Sequence, residues 1–406
     1  MAFRRVLPFL LFGLLAPSVL AQDIAADAKK EVLDGIKKVL DERAFVPGKD
    51  LSKWEEFIAK HKEALDKTTT IDEFGRETNR ALREFGFSHI RLRSPRAAEA
   101  RGRTFVVGPG FNAKFENSTL VVTAVTPKSP AETAGIKPGD VIVEVDGKTP
   151  ENANVIGGEE GKEISLKVKQ EAGEPKEVKI TRARISTVRP ETLTWEGDDA
   201  AVLRIYTFSA GYNRKNVEDL IKQANEKGKY LVLDLRSNGG GAVNNLQHLL
   251  SLLLPPDTVI GSFIGKSLAK RYVDETKGDP ADVVAIAKWS DRKYKTTKRD
   301  VEPFKGKIAV LINRASASAS EICAAALKEN AKAPLVGARS AGAVLASVYA
   351  KLPQGFELQY PVSDFVTANG VRLEANPLAV DAEETGRPVD GKDPAVEKAL
   401  ELLRKG

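Results

Sequence analysis

The residues best suited to chemistry stand in one short stretch, Asn313-Arg314-Ala315-Ser316-Ala317-Ser318-Ala319-Ser320-Glu321. It follows the apolar run Ile308–Ile312 and leads into the alanine-rich Ile322–Leu327, so it reads as strand, tight turn and helix. A serine at such a junction sits where the first helical N–H groups point outward, which suits an oxyanion. The same letters have a purely structural use: Ser318-x-x-Glu321 is a capping box, open to any helix start. Elsewhere the reactive types are few. The single cysteine, Cys323, rules out an internal disulfide and reads as a small buried apolar residue. With three histidines (His61, His89, His248) lacking metal-ligand spacing, neither a metal site nor any other cofactor is expected.

Three kinds of element position this turn. Residues 23–90 carry helical apolar stripes: Ile24, Ala28, Val32 and Ile36, then Leu51, Trp54, Ile58 and Leu65, then Ile71, Phe74, Leu82 and Phe85. They predict an N-terminal helical domain over 22–104 whose exit delivers Ser88-His89 onto a loop or strand. Residues 105–190 switch to period two, in Leu120–Val125, Val141–Val145, Ile164–Lys169 and Glu177–Ile180, and predict a β-rich domain. From 191 to 406 strands and helices alternate, as an α/β core. There Asp234-Leu235-Arg236-Ser237-Asn238-Gly239-Gly240-Gly241 opens a helix at Val243. The charge-rich stretch 255–303 reads as an irregular insert, a lid or strap. His61 and His248 fall on helices without a motif and read as structural.

Composition excludes some functions. Basic residues are scattered among acidic ones, with no clustered stripe of the kind nucleic acids require. Residues 1–21 combine Arg4-Arg5, an apolar run from Val6 to Leu15 and a small-residue site ending at Ala21, the pattern of a signal peptide. Cleavage there would start the mature chain at Gln22 and, by removing two arginines, lower the formal charge from +6 to +4. That predicts a secreted or periplasmic protein with no membrane span after cleavage.

Two motif groups resemble known families. Val125-Thr126-Pro127 through Gly135-Ile136-Lys137-Pro138-Gly139-Asp140 and Val141–Gly147 resembles a PDZ domain of the bacterial protease type. Gly108-Pro109-Gly110-Phe111 stands where that family binds a peptide carboxylate while the peptide adds as a strand. The stretch from Gly147 to Ile164 is short and contains Gly157-Gly158 and Gly161, so the helix that walls that groove is expected to be stunted. Leu233-Asp234-Leu235-Arg236-x-Asn238-x-Gly240-Gly241 and Ser316–Glu321 resemble the C-terminal processing (tail-specific) proteases. This likeness implies an α/β core of ClpP/crotonase-like ββα units with the PDZ domain inserted. It also implies Ser318 as nucleophile, with oxyanion donors from the backbone N–H groups of Ala319 and Gly241.

Those proteases activate the serine with a lysine and a glutamine, and the matching positions here are Ala343 and Ser347. A serine–lysine dyad is excluded. The tricorn-type branch uses a Ser-His pair and a glutamate instead, and Ser88-His89 with Glu374 in Leu373-Glu374-Ala375-Asn376 resembles that set. A free imidazole titrates near pH 6.5 and so accepts a proton at neutral pH. The resemblance thus implies a serine endopeptidase acting on unfolded or tagged proteins: His89 as base, Ser88 and Glu374 in support, a protein or peptide as substrate, and an oligomer as one form it can take. The rival reading, motivated by Ala343, is a catalytically inactive relative that binds peptides or small ligands.

Overall fold

In the computed structural model, residues 23–170 and 173–405 are described; the expected signal peptide lies outside them. The chain folds into two compact units, one built on Gly108–Ala183, the other on Ala25–Thr68, Glu73–Val107 and Arg184 onward.

The helices α1 (Ala26–Glu42), α2 (Trp54–Lys67) and α3 (Ile71–Arg83) follow the stripes read from the sequence, burying Val32 and Ile36, Trp54 and Leu65, and Phe74 and Leu82. Expected as a domain of their own, they instead fall, apart from the first residues of α3, within the unit that holds the α/β core. After α3 the chain turns at Gly86 (φ 67°), passes Ser88-His89 and enters strand β1 (Arg91–Arg93).

The smaller unit is a five-stranded antiparallel sheet in sequential order: β2 (Phe111–Glu116), β3 (Thr119–Val125), β4 (Val141–Val145), β5 (Glu163–Lys169) and β6 (Lys176–Thr181). Its alternating Leu120, Val122, Ile142, Ile164, Leu166 and Ile180 form the core. β2 is an edge strand. Between β4 and β5 the only helical turn is the 3₁₀ segment Ala153–Ile156, ended by Gly157.

The larger unit carries a six-stranded sheet. Parallel strands β8 (Ala200–Arg204), β9 (Tyr230–Asp234), β11 (Lys307–Ile312), β12 (Leu335–Gly337) and β15 (Ala382–Glu383) follow in spatial order, with β7 (Thr192–Glu196) antiparallel at one edge. β9 and β11 are buried on both faces, as central parallel strands must be. Leu231, Leu233 and Val310 pack with α4 (Arg214–Lys227), α5 (Val243–Ser251) and α8 (Ala319–Ala331); Val232, Ala309 and Leu311 pack with α9 (Pro394–Lys405). β9 and β11 are adjacent and parallel, with Asp234 opposite Leu311. The loops leaving them, Leu235–Ala242 and Asn313–Ser318, therefore emerge side by side at the carboxyl end of the sheet, where such sheets place ligands.

A second, mixed-length antiparallel sheet pairs the long β14 (Glu357–Thr367) with β1, with β10 (Val259–Gly265) and with β13 (Ala346–Lys351). The stretch 255–303 is thus not the irregular strap its charge content suggested. It supplies β10 and helices α6 (Lys266–Thr276) and α7 (Val283–Trp289), whose Ile264, Leu268, Val283 and Ile286 cluster with Val366 while the charges face water.

Candidate active site

Of the three serines in the turn, two are committed to structure. Ser316 Oγ donates to the Leu235 carbonyl at 2.8 Å, Ser320 Oγ donates to the Asn238 carbonyl at 2.8 Å, and both residues are fully buried. Ser318 is partly exposed, and among the described residues its hydroxyl donates to no partner. It caps α8, and Glu321 Oε2 accepts its amide at 3.1 Å, so the capping box is present. Capping alone does not account for its backbone. Cap residues take extended φ/ψ, as Asp50, Ser129 and Asn213 do here, whereas Ser318 has φ 58°, ψ −120°. Such a conformation costs a non-glycine residue about 1–3 kcal/mol and collects at functional sites.

The glycine loop lies against this turn. A Cβ added to Gly240 would stand 2.8 Å from Ser318 Cβ and 2.9 Å from the Ala319 nitrogen, and Gly240 has φ 90°. Only glycine fits that approach. Asn238, fully buried, brackets the two loops. Its Oδ1 accepts the Gly240 amide at 3.0 Å, its carbonyl accepts the Ala317 amide at 3.1 Å, and its Nδ2 donates to the Ile205 carbonyl at 3.0 Å. Phe208 takes up the Gly240 carbonyl and the Ala242 amide. In the parallel bridge so formed, the Gly241 amide points the other way, and it finds no partner among the described residues. The Ala319 amide, first in its helix, has none there either. Two unspent N–H groups next to a partly exposed serine are what an oxyanion hole requires.

On the other side, Ser88, His89 and Glu374 form one hydrogen-bonded set although 286 residues separate Ser88 from Glu374. Ser88 Oγ lies 2.7 Å from His89 Nδ1 and 2.8 Å from Glu374 Oε2; the Ser88 amide donates to Glu374 Oε1 at 2.9 Å. Sheet geometry explains the meeting: β1, just after His89, pairs with the start of β14, and Glu374 follows the turn beyond its end. Proton counting then fixes the tautomer. The one Ser88 hydroxyl proton goes to the carboxylate, so Nδ1–H of His89 donates to Ser88 Oγ and Nε2 keeps its lone pair. Burial holds the His89 pKa below its ordinary value, opposed by the Glu374 carboxylate. His89 (φ 60°) and Ala375 (φ 61°) share the positive-φ strain of Ser318.

The strap of residues 340–345 joins the two sides. Ala343 accepts the Ser318 amide at 2.9 Å through its carbonyl, while the next two amides, of Val344 and Leu345, donate to Glu374 Oε2 at 2.8 and 3.3 Å. Below the strap the buried Glu321 carboxylate accepts Ser340 Oγ and the amides of Gly342 and Ala343, at 2.5–3.0 Å. Sequence reasoning gave Glu321 only a cap and Asn238 no role; that both are buried carriers of several bonds is invisible from local pattern. Ser347 Oγ is spent accepting from Gln359 Nε2.

The remaining candidates make other contacts. Gly108, Pro109, Gly110 and Phe111 belong to the β-rich unit, where the Pro109 carbonyl accepts from Ala131 and the Gly110 carbonyl accepts from Thr126 and Ser129. His61 bonds Glu77 and Glu84, and His248 bonds Tyr212 and Glu218, so both are structural. Cys323 is buried, and its thiol pKa is pushed well up by that burial. No cluster of metal-ligating side chains occurs among the described residues.

Residues 199–383 match peptidase family S41, and residues 121–182 match the PDZ domain. Curated relatives include a "probable CtpA-like serine protease" of Staphylococcus aureus, 30% identical over 273 residues, 65% of this chain and 50% of that protein. Another of that name from Staphylococcus haemolyticus is 25% identical over 283 residues, 68% of this chain and 52% of that one. The chain spans about half the length of these relatives. Among solved structures, mature CPAF complexed with lactacystin aligns with TM-score 0.51 and 14% identity over 94% of this chain and 98% of that one. The tricorn protease aligns with TM-score 0.51 and 15% identity over 93% of this chain and 37% of that one. These two likenesses bear on the fold: an α/β core with an inserted PDZ domain.

Proposed function

We propose, from the match of residues 199–383 to peptidase family S41, that the protein is a serine endopeptidase in which a histidine replaces the lysine. Ser318 Oγ attacks the peptide carbonyl. His89 Nε2 takes its proton and then delivers it to the leaving amine. Ser88 holds the imidazole through Nδ1, and Glu374, through Ser88, stabilises the imidazolium. The amides of Gly241 and Ala319 receive the oxyanion. The observation that carries this reading is the Glu374–Ser88–His89 set, whose hydrogen bonds leave Nε2 as the free base. Unfolded or tagged proteins are the proposed substrates, entering as extended chains; the exposed edge of β2 suits a peptide that adds as a strand. We propose export by the signal peptide, so that N-terminal sequencing of the mature protein reads from Gln22.

Ala343 favours a second reading, a silent relative that binds peptides without cutting them. Labelling with a serine-directed fluorophosphonate separates the two. Wild type should label, and Ser318→Ala and His89→Ala should not; an unlabelled wild type selects the silent relative, and full labelling of His89→Ala removes the histidine mechanism.

A further inference from the structure

A cavity of about 290 Å³ lies in the larger unit, lined by Arg103, Arg189, Arg204, Tyr206, Thr207 and Ser237 among others, with no acidic residue in its wall. The Tyr206 ring is in contact with two of the arginines, its centroid 5.9 Å from the Arg189 guanidinium carbon and 5.1 Å from that of Arg204. Such cation–π contacts hold both side chains at the ring without neutralising them. Arg204 is the balanced member: it and Arg236 share Asp234, and Arg236 also takes Asp393. Arg103 reaches only Glu99, at 3.7 Å and largely in water, and Arg189 has no carboxylate partner among the described residues. The cavity therefore holds the guanidinium groups of Arg103 and Arg189, neither with a close carboxylate among the described residues, beside hydroxyls, a set that matches a carboxylate.

Its position says whose carboxylate. Ser237 in the wall is three residues from Gly240, a span of at most about 10 Å, and Gly240 touches Ser318. An extended peptide advances about 3.3 Å per residue, so the cavity lies within about four residues of a bond held at Ser318. We propose that it is a specificity subsite for an aspartate or glutamate side chain of the peptide being cleaved. The inference rests on the peptidase reading of Ser318.

Binding, not turnover, tests it. In the Ser318→Ala protein, fluorescence anisotropy would compare peptides identical but for Glu or Gln at each of four positions on either side of the bond. At one position the Glu peptide should bind about tenfold more tightly, as a charge-assisted pair over a neutral one allows. Adding Arg189→Gln or Arg103→Gln should bring that ratio near one, a ratio internal to each variant and so insensitive to its stability. Free glutarate or inorganic phosphate should weaken the Glu peptide more than the Gln peptide. Equal binding of Glu and Gln everywhere, a ratio that survives both arginine variants, or equal displacement of the two peptides by the free anions would overturn the proposal. Fluorophosphonate labelling of the wild type reports on the peptidase reading separately, so failure of one does not pass for failure of the other.

Discussion

Replacing Glu374 by glutamine keeps the shape and removes the charge behind His89. The carboxylate is buried and accepts the Ser88 amide and hydroxyl and the Val344 and Leu345 amides. Glu374 Oε2 reaches His89 Nδ1 through Ser88 Oγ in steps of 2.8 and 2.7 Å, so the two atoms are at most about 5.5 Å apart. At an effective dielectric of about 20 that separation gives the imidazolium about 3 kcal/mol of attraction, and each 1.4 kcal/mol is tenfold in rate. We expect kcat/KM for an unstructured protein substrate to fall about 100-fold. The pH profile gives the discriminating signature. Burial lowers the His89 pKa and Glu374 raises it. In the wild type, the half-maximal point of the acidic limb should lie below the ordinary imidazole value of about 6.5. Without the carboxylate the pKa falls further, so in Glu374→Gln that limb should move to lower pH even as the plateau drops. Loss of a merely structural tether would lower activity and melting temperature together and leave the limb in place. A plateau within threefold of wild type, or a limb moved to higher pH, would refute the relay.

Three further outcomes follow from the packing. Ser316→Ala and Ser320→Ala each remove a buried hydroxyl bonded to a carbonyl and should cost about 1 kcal/mol by denaturant titration, yet both should still take fluorophosphonate, unlike Ser318→Ala. Gly240→Ala places a methyl group 2.7–2.9 Å from the Ala317 carbonyl, Ser318 Cβ and the Ala319 nitrogen at φ 90°; it should abolish labelling while the protein still melts cooperatively, and labelling at the wild-type rate would show that Gly240 does not lie against the nucleophile. Cys323, buried in α8 with its thiol pKa pushed up, should resist maleimide in the native protein and react only on unfolding; rapid native labelling would contradict its placement.

The strands of the β-rich unit and the strand–turn–helix at Ser318 were legible because period-two and period-3.6 apolar spacing is a local signal, and burial follows it almost residue by residue. The stretch 255–303 was not. β10 contains Gly261 and Gly265, which break its alternation, and α6 exposes lysine and arginine on the face away from the core, so charge outweighed periodicity. Ser88, His89 and Glu374 carry no local signal at all. Only likeness to a family suggested them together, and only the pairing of β1 with β14 explains how they meet. The arginine-lined cavity drew nothing from sequence, since Arg103, Arg189 and Arg204 lie on three separate segments whose meeting no periodicity encodes.

On the proposed mechanism, the strap at 340–345 has a positioning role. The Ala343 side chain can offer no base, and its segment acts through the backbone instead: the Ala343 carbonyl holds the Ser318 amide, and the two amides after it hold Glu374. The strap thereby ties the strained serine to the carboxylate that orients His89, and Glu321, accepting from Ser318, Ser340, Gly342 and Ala343, fixes it from below. Glu321 is thus more than the second letter of a capping box. Glu321→Gln would face those four donors with one oxygen and one NH₂ group, leaving at least one buried donor without an acceptor, at about 1–3 kcal/mol. If the strap couples the two sides, this variant should lose stability and slow fluorophosphonate labelling together, although Glu321 lies outside the proton path. Lowered stability with an unchanged labelling rate would mean that Glu321 serves the helix alone.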